Sequence, residues 1–241
     1  MGLRLAGAPF LPFYASPDAL EIPRRLLKKL MTDFIKPRLY LITPPVADAE
    51  SFAPALEAAL GAGDVACVLL RFAPPDENAR KKICRALAPL VQERGAALLL
   101  TDDSQLAVRA GADGMHVTQP GEKLVAALDS LKPERIVGIG GLADKDQAMT
   151  AGEKDVDYLM FGDLDPGGEP PESVLERASW WAEIFNLPCI AVAHDLAEVE
   201  ALARTGAEFI ALAAEIFADP RGPAAAVAQA QAAIDRAEAS A

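Results

Sequence analysis

Gly111-Ala112-Asp113-Gly114-Met115-His116-Val117 decides the fold, because its pattern occurs four times along the chain. The same order of glycine, short acidic link and apolar run occurs at Gly61-Ala62-Gly63-Asp64-Val65-Ala66-Cys67-Val68 and at Gly206-Ala207-Glu208-Phe209-Ile210-Ala211-Leu212. It occurs once more, slightly longer, at Gly152-Glu153-Lys154-Asp155-Val156-Asp157-Tyr158-Leu159-Met160-Phe161. Each copy follows an alanine-rich helical stretch. Glycine ends that helix by accepting the left-handed conformation just past the last turn. The apolar run is too short for a second helix and does not alternate, so it reads as a strand buried on both faces. Helix, tight link and buried strand in succession describe a parallel α/β protein.

Working outward from these repeats, strands are expected over 38–43, 65–71, 97–101, 114–118, 135–140, 158–162, 189–193 and 209–213. Helices follow each of them. The first runs over 48–60. The second opens at Pro75-Asp76-Glu77 and runs toward Arg94. The third is capped by Asp103 or Ser104, the fourth lies between Gly121 and Pro133, and the fifth starts near Asp144. The sixth carries Trp180 and Trp181, the seventh ends at Thr205, and an alanine-rich helix closes the chain. Eight such units in 241 residues predict one α/β domain, a (β/α)8 TIM barrel over 37–241. An open doubly wound sheet is the alternative, but no G-x-G-x-x-G follows the first strand. An N-terminal extension over 1–36 precedes the barrel, with a short amphipathic helix at Arg24-Arg25-Leu26-Leu27-Lys28-Lys29-Leu30. Met31, just before the first strand, is a candidate natural start.

The net charge of −12, from 35 acidic against 23 basic residues, argues against nucleic acid and anionic membranes as partners. A local basic pocket could still hold an anionic substrate. No uncharged stretch has the length of a membrane span, and prolines interrupt the apolar N-terminal stretch 8–15 that would otherwise suggest export. Cys67, Cys84 and Cys189 have no paired or metal-type spacing and read as small apolar filler. A reducing, cytoplasmic location follows as the expectation, and nothing in the sequence argues against a homo-oligomer.

In a barrel the functional groups sit at the carboxyl ends of the strands and in the loops after them. Here those positions hold Thr43, Arg71, Asp102, Asp103, Thr118, Gln119, Gly140, Gly141, Asp163, Asp165, His194, Asp195 and Glu215. Arg71 ends an apolar strand as a lone guanidinium, suited either to clamp a phosphate or to pair structurally with Asp102 on the neighbouring strand. Asp102 and Asp103 are candidate Mg²⁺ ligands, since that ion takes one or two carboxylates plus phosphate oxygens; Asp103 also fits a helix N-cap. His194, at the end of the seventh strand, is expected to face the site, with Asp195 capping the following helix. His116 lies mid-strand and is expected in the interior, hydrogen-bonded. Gly138-Ile139-Gly140-Gly141 resembles part of a phosphate-binding glycine motif. No Ser-His-Asp order, zinc spacing or Walker loop is present.

From Pro37 to Phe217 these residues resemble the thiamine phosphate synthase/TenI family. Leu39-Tyr40-Leu41-Ile42-Thr43 looks like its opening strand, and Leu98-Leu99-Leu100-Thr101-Asp102-Asp103 through Gly111–Gln119 like its most characteristic stretch. Val137-Gly138-Ile139-Gly140, Asp157–Gly162 and Gly206–Ala211 fall where members carry similar strands. The resemblance implies small phosphorylated heterocycles as ligands. A hydroxymethylpyrimidine diphosphate would be joined to a thiazole phosphate, with release of pyrophosphate and help from Mg²⁺. It places Arg71, Gln119, Gly140 and His194 at substrate- or phosphate-binding positions and Asp102 and Asp103 at metal positions. Several family positions are changed. A lysine is expected at Ala73, a second metal-binding aspartate at Gly121, a serine at Gly140 and another at Ala214. A Thr- and Lys-bearing loop is replaced by Asp165-Pro166-Gly167-Gly168-Glu169, and a glycine pair by Ala193-His194. The histidine a TenI-type tautomerase wants near Ala143 is missing. These changes remove cations and amide donors and add carboxylates, which weakens anion binding. They set a second expectation beside the first, a repurposed or non-catalytic ligand-binding paralogue on the same frame.

Overall fold

In the computed structural model, residues 36–74 and 76–239 are described; the amphipathic helix expected at 24–30 and the start at Met31 lie outside them. The strands are β1 (Arg38–Val46), β2 (Val65–Phe72), β3 (Ala97–Thr101), β4 (Gly114–Val117), β5 (Ile136–Ile139), β6 (Tyr158–Phe161), β7 (Cys189–Ala193) and β8 (Phe209–Leu212). The helices between and after them are α1 (Ala49–Leu60), α2 (Glu77–Gln92), α3 (Ser104–Ala110), α4 (Glu122–Leu131), α5 (Lys145–Gly152), α6 (Pro171–Ile184), α7 (Val199–Ala203) and α8 (Pro223–Ala239). A 3₁₀ turn, Ala214–Ala218, separates β8 from α8. All strands run parallel and pair in chain order. The sheet closes when β1 meets β8, with Arg38 opposite Phe209 and Leu41 opposite Leu212. The fold is therefore a (β/α)8 barrel, not an open doubly wound sheet.

Most strand boundaries agree with expectation to within one residue, and the largest difference is at the end of β1. β1 continues through Pro44 and Pro45 to Val46, with a register shift against β2 between Ile42 and Pro45. A strand tolerates proline where the ladder is already irregular, because no amide there must donate.

Both faces of the strands are apolar, as the unbroken runs require. Tyr40, Ile42, Cys67, Leu69, Leu99, Tyr158, Met160, Ile190, Val192 and Ala211 fill the barrel's inside. Residues of the opposite parity, such as Leu39, Leu41, Val68, Leu70, Leu98 and Leu100, pack against the helices. All three cysteines are buried. Tyr158 fills so much of the interior that a Cβ on Gly138 would stand 1.9 Å from its ring, which explains the glycine in β5. The Tyr40 and Tyr158 hydroxyls lie 3.1 Å apart, and Tyr158 reaches His116 Nδ1 at 3.0 Å. His116 is thus the buried, hydrogen-bonded interior histidine that its mid-strand position suggests. Burial drives its pKa down to about 4, against an opposing pull from the Asp102 charge.

The acidic links of the repeated phrase have a structural task at the opposite, amino-terminal end. The Asp113 carboxylate, before β4, accepts the Leu98 amide of β3 at 2.7 Å. Asp157, before β6, accepts Val137 of β5 at 2.7 Å, and Glu208, before β8, accepts Cys189 of β7 at 2.9 Å. Each acid satisfies an amide at the start of the preceding strand and so fastens strands in pairs. Four helices are capped by aspartates that accept an amide three residues on: Asp48, Asp76, Asp103 and Asp144, at 2.8–2.9 Å.

Candidate functional site

The inward parity of each strand, followed past its end, delivers side chains to the carboxyl-terminal mouth. Cys67 and Leu69 point inward on β2, and Arg71 is the next position of that set. By the same count Thr101 follows Leu99, and Gly140 follows Gly138. A cavity of about 730 Å³ opens there, lined among others by Arg71, Asp102, His116, Thr118, Gln119 and Gly140. The β6–α6 loop, Gly162 to Pro170, forms its opposite wall and separates it from an adjoining cavity of about 880 Å³ that reaches Arg177 on α6.

Arg71 is anchored from below, its amide donating to Thr43 Oγ1 at 3.0 Å. Its guanidinium does not pair with Asp102. Nη2 donates to both Asp165 oxygens, at 2.8 and 2.9 Å, and Nη1 to the Leu164 carbonyl at 3.3 Å. The structural partner is supplied by the β6–α6 loop leaning over the mouth, and Asp102 has partners of its own.

Asp102 has φ +52°, the only positive value of a non-glycine residue among those described. Such a conformation is uncommon for a residue with a Cβ and collects at functional sites. Its amide donates to the His116 carbonyl at 3.1 Å. Its carboxylate accepts the Thr118 amide at 3.0 Å, the Thr118 hydroxyl at 2.5 Å and Lys123 Nζ at 3.3 Å. Burial alone would raise its pKa, but the Thr118 bonds and the Lys123 charge outweigh it and hold the pKa below the usual carboxylate value. Asp102 is therefore a firmly ionised carboxylate on the cavity wall.

The neighbouring Asp103 serves the frame. One oxygen caps α3 through the Leu106 amide at 2.9 Å and the other pairs with Arg80 at 3.0 Å. Its carboxylate is thus committed to the cap and to Arg80. Among the described residues no three His, Cys, Asp or Glu side chains gather as a metal cage. A cation held mainly by substrate phosphates needs only one or two protein carboxylates, and Asp102 fits that requirement.

Gly140 lines the cavity, but its amide donates to the Val117 carbonyl at 2.9 Å. What it lends is the lack of a side chain, since a Cβ there would stand 2.9 Å from His116 Nε2. Gly141 has φ +62°, and a Cβ would collide with the Thr118 carbonyl at 2.1 Å. The glycine run of this segment follows from crowding around Tyr158, His116 and Thr118. Gln119 lines both cavities.

His194 is not brought to this group. It lines a separate cleft of about 310 Å³ with Glu215, Asp219 and Arg221. Its Nε2 donates to the Asp163 carbonyl at 3.0 Å, supporting the base of the β6–α6 loop, while Nδ1 faces Glu215 at 3.7 Å. Asp195 turns back onto the Ala197 amide at 2.9 Å, within the turn before α7.

Two cations near the mouth are additional to the sequence reading. Lys123 leans from the first turn of α4 onto Asp102. Arg177 is buried on α6, its fork joined to the Leu142 carbonyl and the Glu169 carboxylate, with the Ser173 hydroxyl on the other Glu169 oxygen. A signal for Arg177 exists in the sequence. It stands within the apolar stripe Val174, Ala178 and Trp181, at helical spacing, where an unpaired charge is untenable.

Among solved structures, the chain resembles a thiamine phosphate pyrophosphorylase from Pyrococcus furiosus, with a TM-score of 0.71 at 20% identity over 84% of this chain and 98% of the other. It also resembles a 3-hexulose-6-phosphate synthase, with a TM-score of 0.63 at 16% identity over 81% and 99%. At such identities the likeness concerns the fold. Sequence relatives carry more. A thiamine-phosphate synthase of Rhodospirillum centenum is 42% identical over 195 residues, 79% of this chain and 94% of the relative. One of Hyphomonas neptunium is 35% identical over 212 residues, 82% and 95%. The family profile described as thiamine monophosphate synthase matches residues 39–216, from β1 through the turn after β8. With the barrel, the order of its strand motifs and these relatives in agreement, the chain belongs to the thiamine monophosphate synthase family.

Proposed function

We propose that this barrel is a thiamine-phosphate synthase, joining a hydroxymethylpyrimidine diphosphate to a thiazole phosphate and releasing pyrophosphate. The observation that carries the proposal is the presence of Arg71 and an ionised Asp102, not paired with each other, on the walls of one mouth cavity, in a chain whose relatives bear that name.

In this reaction the bond between the pyrimidine methylene and the diphosphate oxygen breaks, and the electron pair leaves with the diphosphate. The thiazole nitrogen then donates its lone pair to the methylene carbon. Arg71 is assigned to hold the departing diphosphate, where a guanidinium is worth most against growing charge. Gln119 supplies an amide at the wall shared by the two cavities. Asp102 is assigned to Mg²⁺, which when bound would neutralise diphosphate charge. Asp103 is left to its cap, and Gly121 offers no second carboxylate. Cytoplasmic location belongs to the same proposal; no described helix is long and apolar enough to cross a membrane.

The test is incubation with both substrates and Mg²⁺, measuring thiamine phosphate and pyrophosphate together. Equimolar formation of the two is expected. No product above an Arg71→Ala control rejects the synthase. Pyrophosphate affinity without turnover would select the other reading, a repurposed paralogue, which draws on Gly121, Ala73 and the acidic β6–α6 loop.

A further inference from the structure

The mouth loop carries its own anion. The β6–α6 loop is tied at its base by three contacts: Asp163 accepts the Glu169 amide at 2.8 Å, His194 holds the Asp163 carbonyl, and Glu169 is locked to the buried Arg177. Between these anchors the tip, Leu164 to Gly168, reaches across the cavity, and Asp165 lays its carboxylate on the fork of Arg71. The two ends of that pair differ sharply. The Arg71 side chain is 15% exposed and the Asp165 side chain 72%. The guanidinium is a fixed fitting of the barrel wall, and the carboxylate is a solvent-side occupant. An ion pair with one member this exposed contributes little and exchanges readily.

We propose that Asp165 is an internal competitor for the anion site, a latch that occupies the Arg71 fork until a phosphorylated ligand displaces it. The inference rests on the reading of Arg71 as the anion-binding group. Asp165 presents to Arg71 two oxygens on one atom, as a phosphate does, so the two cannot hold Nη2 at once. Arrival of a diphosphate exchanges one charged partner for another and frees the loop tip. Glu169 makes a similar contact with Arg177 but is not part of the exchange, because Arg177 is 9% exposed and Glu169 only 17%, against 72% for Asp165. The acidic loop that looks adverse to anion binding therefore sets its threshold without abolishing it.

Calorimetric titration of the whole chain with inorganic pyrophosphate tests the latch. Asp165→Asn keeps the shape and removes the charge, and should bind about two- to five-fold more tightly, the factor an ion pair of this exposure is worth. Glu172→Gln, an exposed carboxylate at the start of the next helix, should leave affinity unchanged. In an Arg71→Ala background Asp165→Asn should bring no gain. An unchanged affinity in Asp165→Asn, an equal gain in Glu172→Gln, or the same gain without Arg71 overturns the proposal. If neither wild type nor Asp165→Asn takes pyrophosphate, the synthase reading fails, and the latch is read on the free protein by phenylglyoxal labelling followed by peptide mass mapping. Arg71 should then label faster in Asp165→Asn than in wild type, with Arg38, paired to Asp64, unchanged as reference. Equal rates at Arg71 also overturn it.

Discussion

Asp102 and Asp103 are adjacent and chemically alike, yet the backbone turns them to different work. The positive φ of Asp102 points its carboxylate into the mouth, while Asp103 turns outward to the α3 cap and Arg80. Arg71 faces the same mouth, and its removal should cost about 10- to 100-fold in kcat/KM, the range of a charge-assisted bond at 1.5–3 kcal/mol. Arg71→Lys should recover part of this, because an ammonium keeps the charge and loses the fork. A steady-state comparison of the three proteins checks both. His116 makes a prediction about pH. Its pKa falls to about 4 on burial, from 6.5 in the unfolded chain. Above pH 6.5 it is neutral in both states and contributes nothing. As pH falls from 6.5 toward 4 the unfolded state binds a proton that the fold refuses, so stability declines, by up to about 3 kcal/mol. Urea midpoints at pH 7, 5.5 and 4.5 should show a shallower acid decline in His116→Asn than in wild type. Equal slopes would count against a neutral, buried imidazole.

At the scale of elements, the same acidic residue type does three jobs, and each has its own signature under mutation. Asp113→Ala strands the Leu98 amide at the amino end of the barrel. It should cost about 1–3 kcal/mol of stability with pyrophosphate affinity intact. Asp103→Ala should cost about 1 kcal/mol through the lost cap, and Asp103→Asn, which can still cap, markedly less; neither should change Mg²⁺-dependent ligand affinity, whereas Asp102→Ala should. Thermal melts paired with pyrophosphate titration separate the cases. The sequence showed the elements well because their signals are short-range. A glycine stop, an aspartate three residues before its amide and an apolar run all lie within one unit. It also showed Arg71 and Asp102 as mouth residues, since both stand at the carboxyl ends of strands. It could not show that Arg71 meets Asp165, 94 residues away, because that choice depends on how far one loop leans over the barrel. Nor could it place His194, which parity alone would aim inward, in a cleft behind that loop. The positive φ of Asp102 and the arrival of Lys123 are likewise products of three-dimensional packing.

At the scale of the whole described barrel, the sheet is a closed ring in which every strand has two neighbours, so no part of it can leave without breaking the circuit. β1 and β8 join the first and last units of the chain, and removing either opens the ring. The barrel should therefore unfold as one unit. Trp180 and Trp181 on α6 provide a local fluorescence probe, and far-UV circular dichroism a global one. Their urea midpoints should coincide, and retained helical signal after the tryptophan transition would contradict a single cooperative ring. The ring also has a stopper. Tyr40, Tyr158 and His116 are wedged and hydrogen-bonded across its inside, with glycine opposite the largest ring. With these side chains filling the inside, the described mouth cavities lie at the carboxyl-terminal end of the strands. A ligand bound for Arg71 or Asp102 therefore arrives from the loop side, past the tip that bears Asp165.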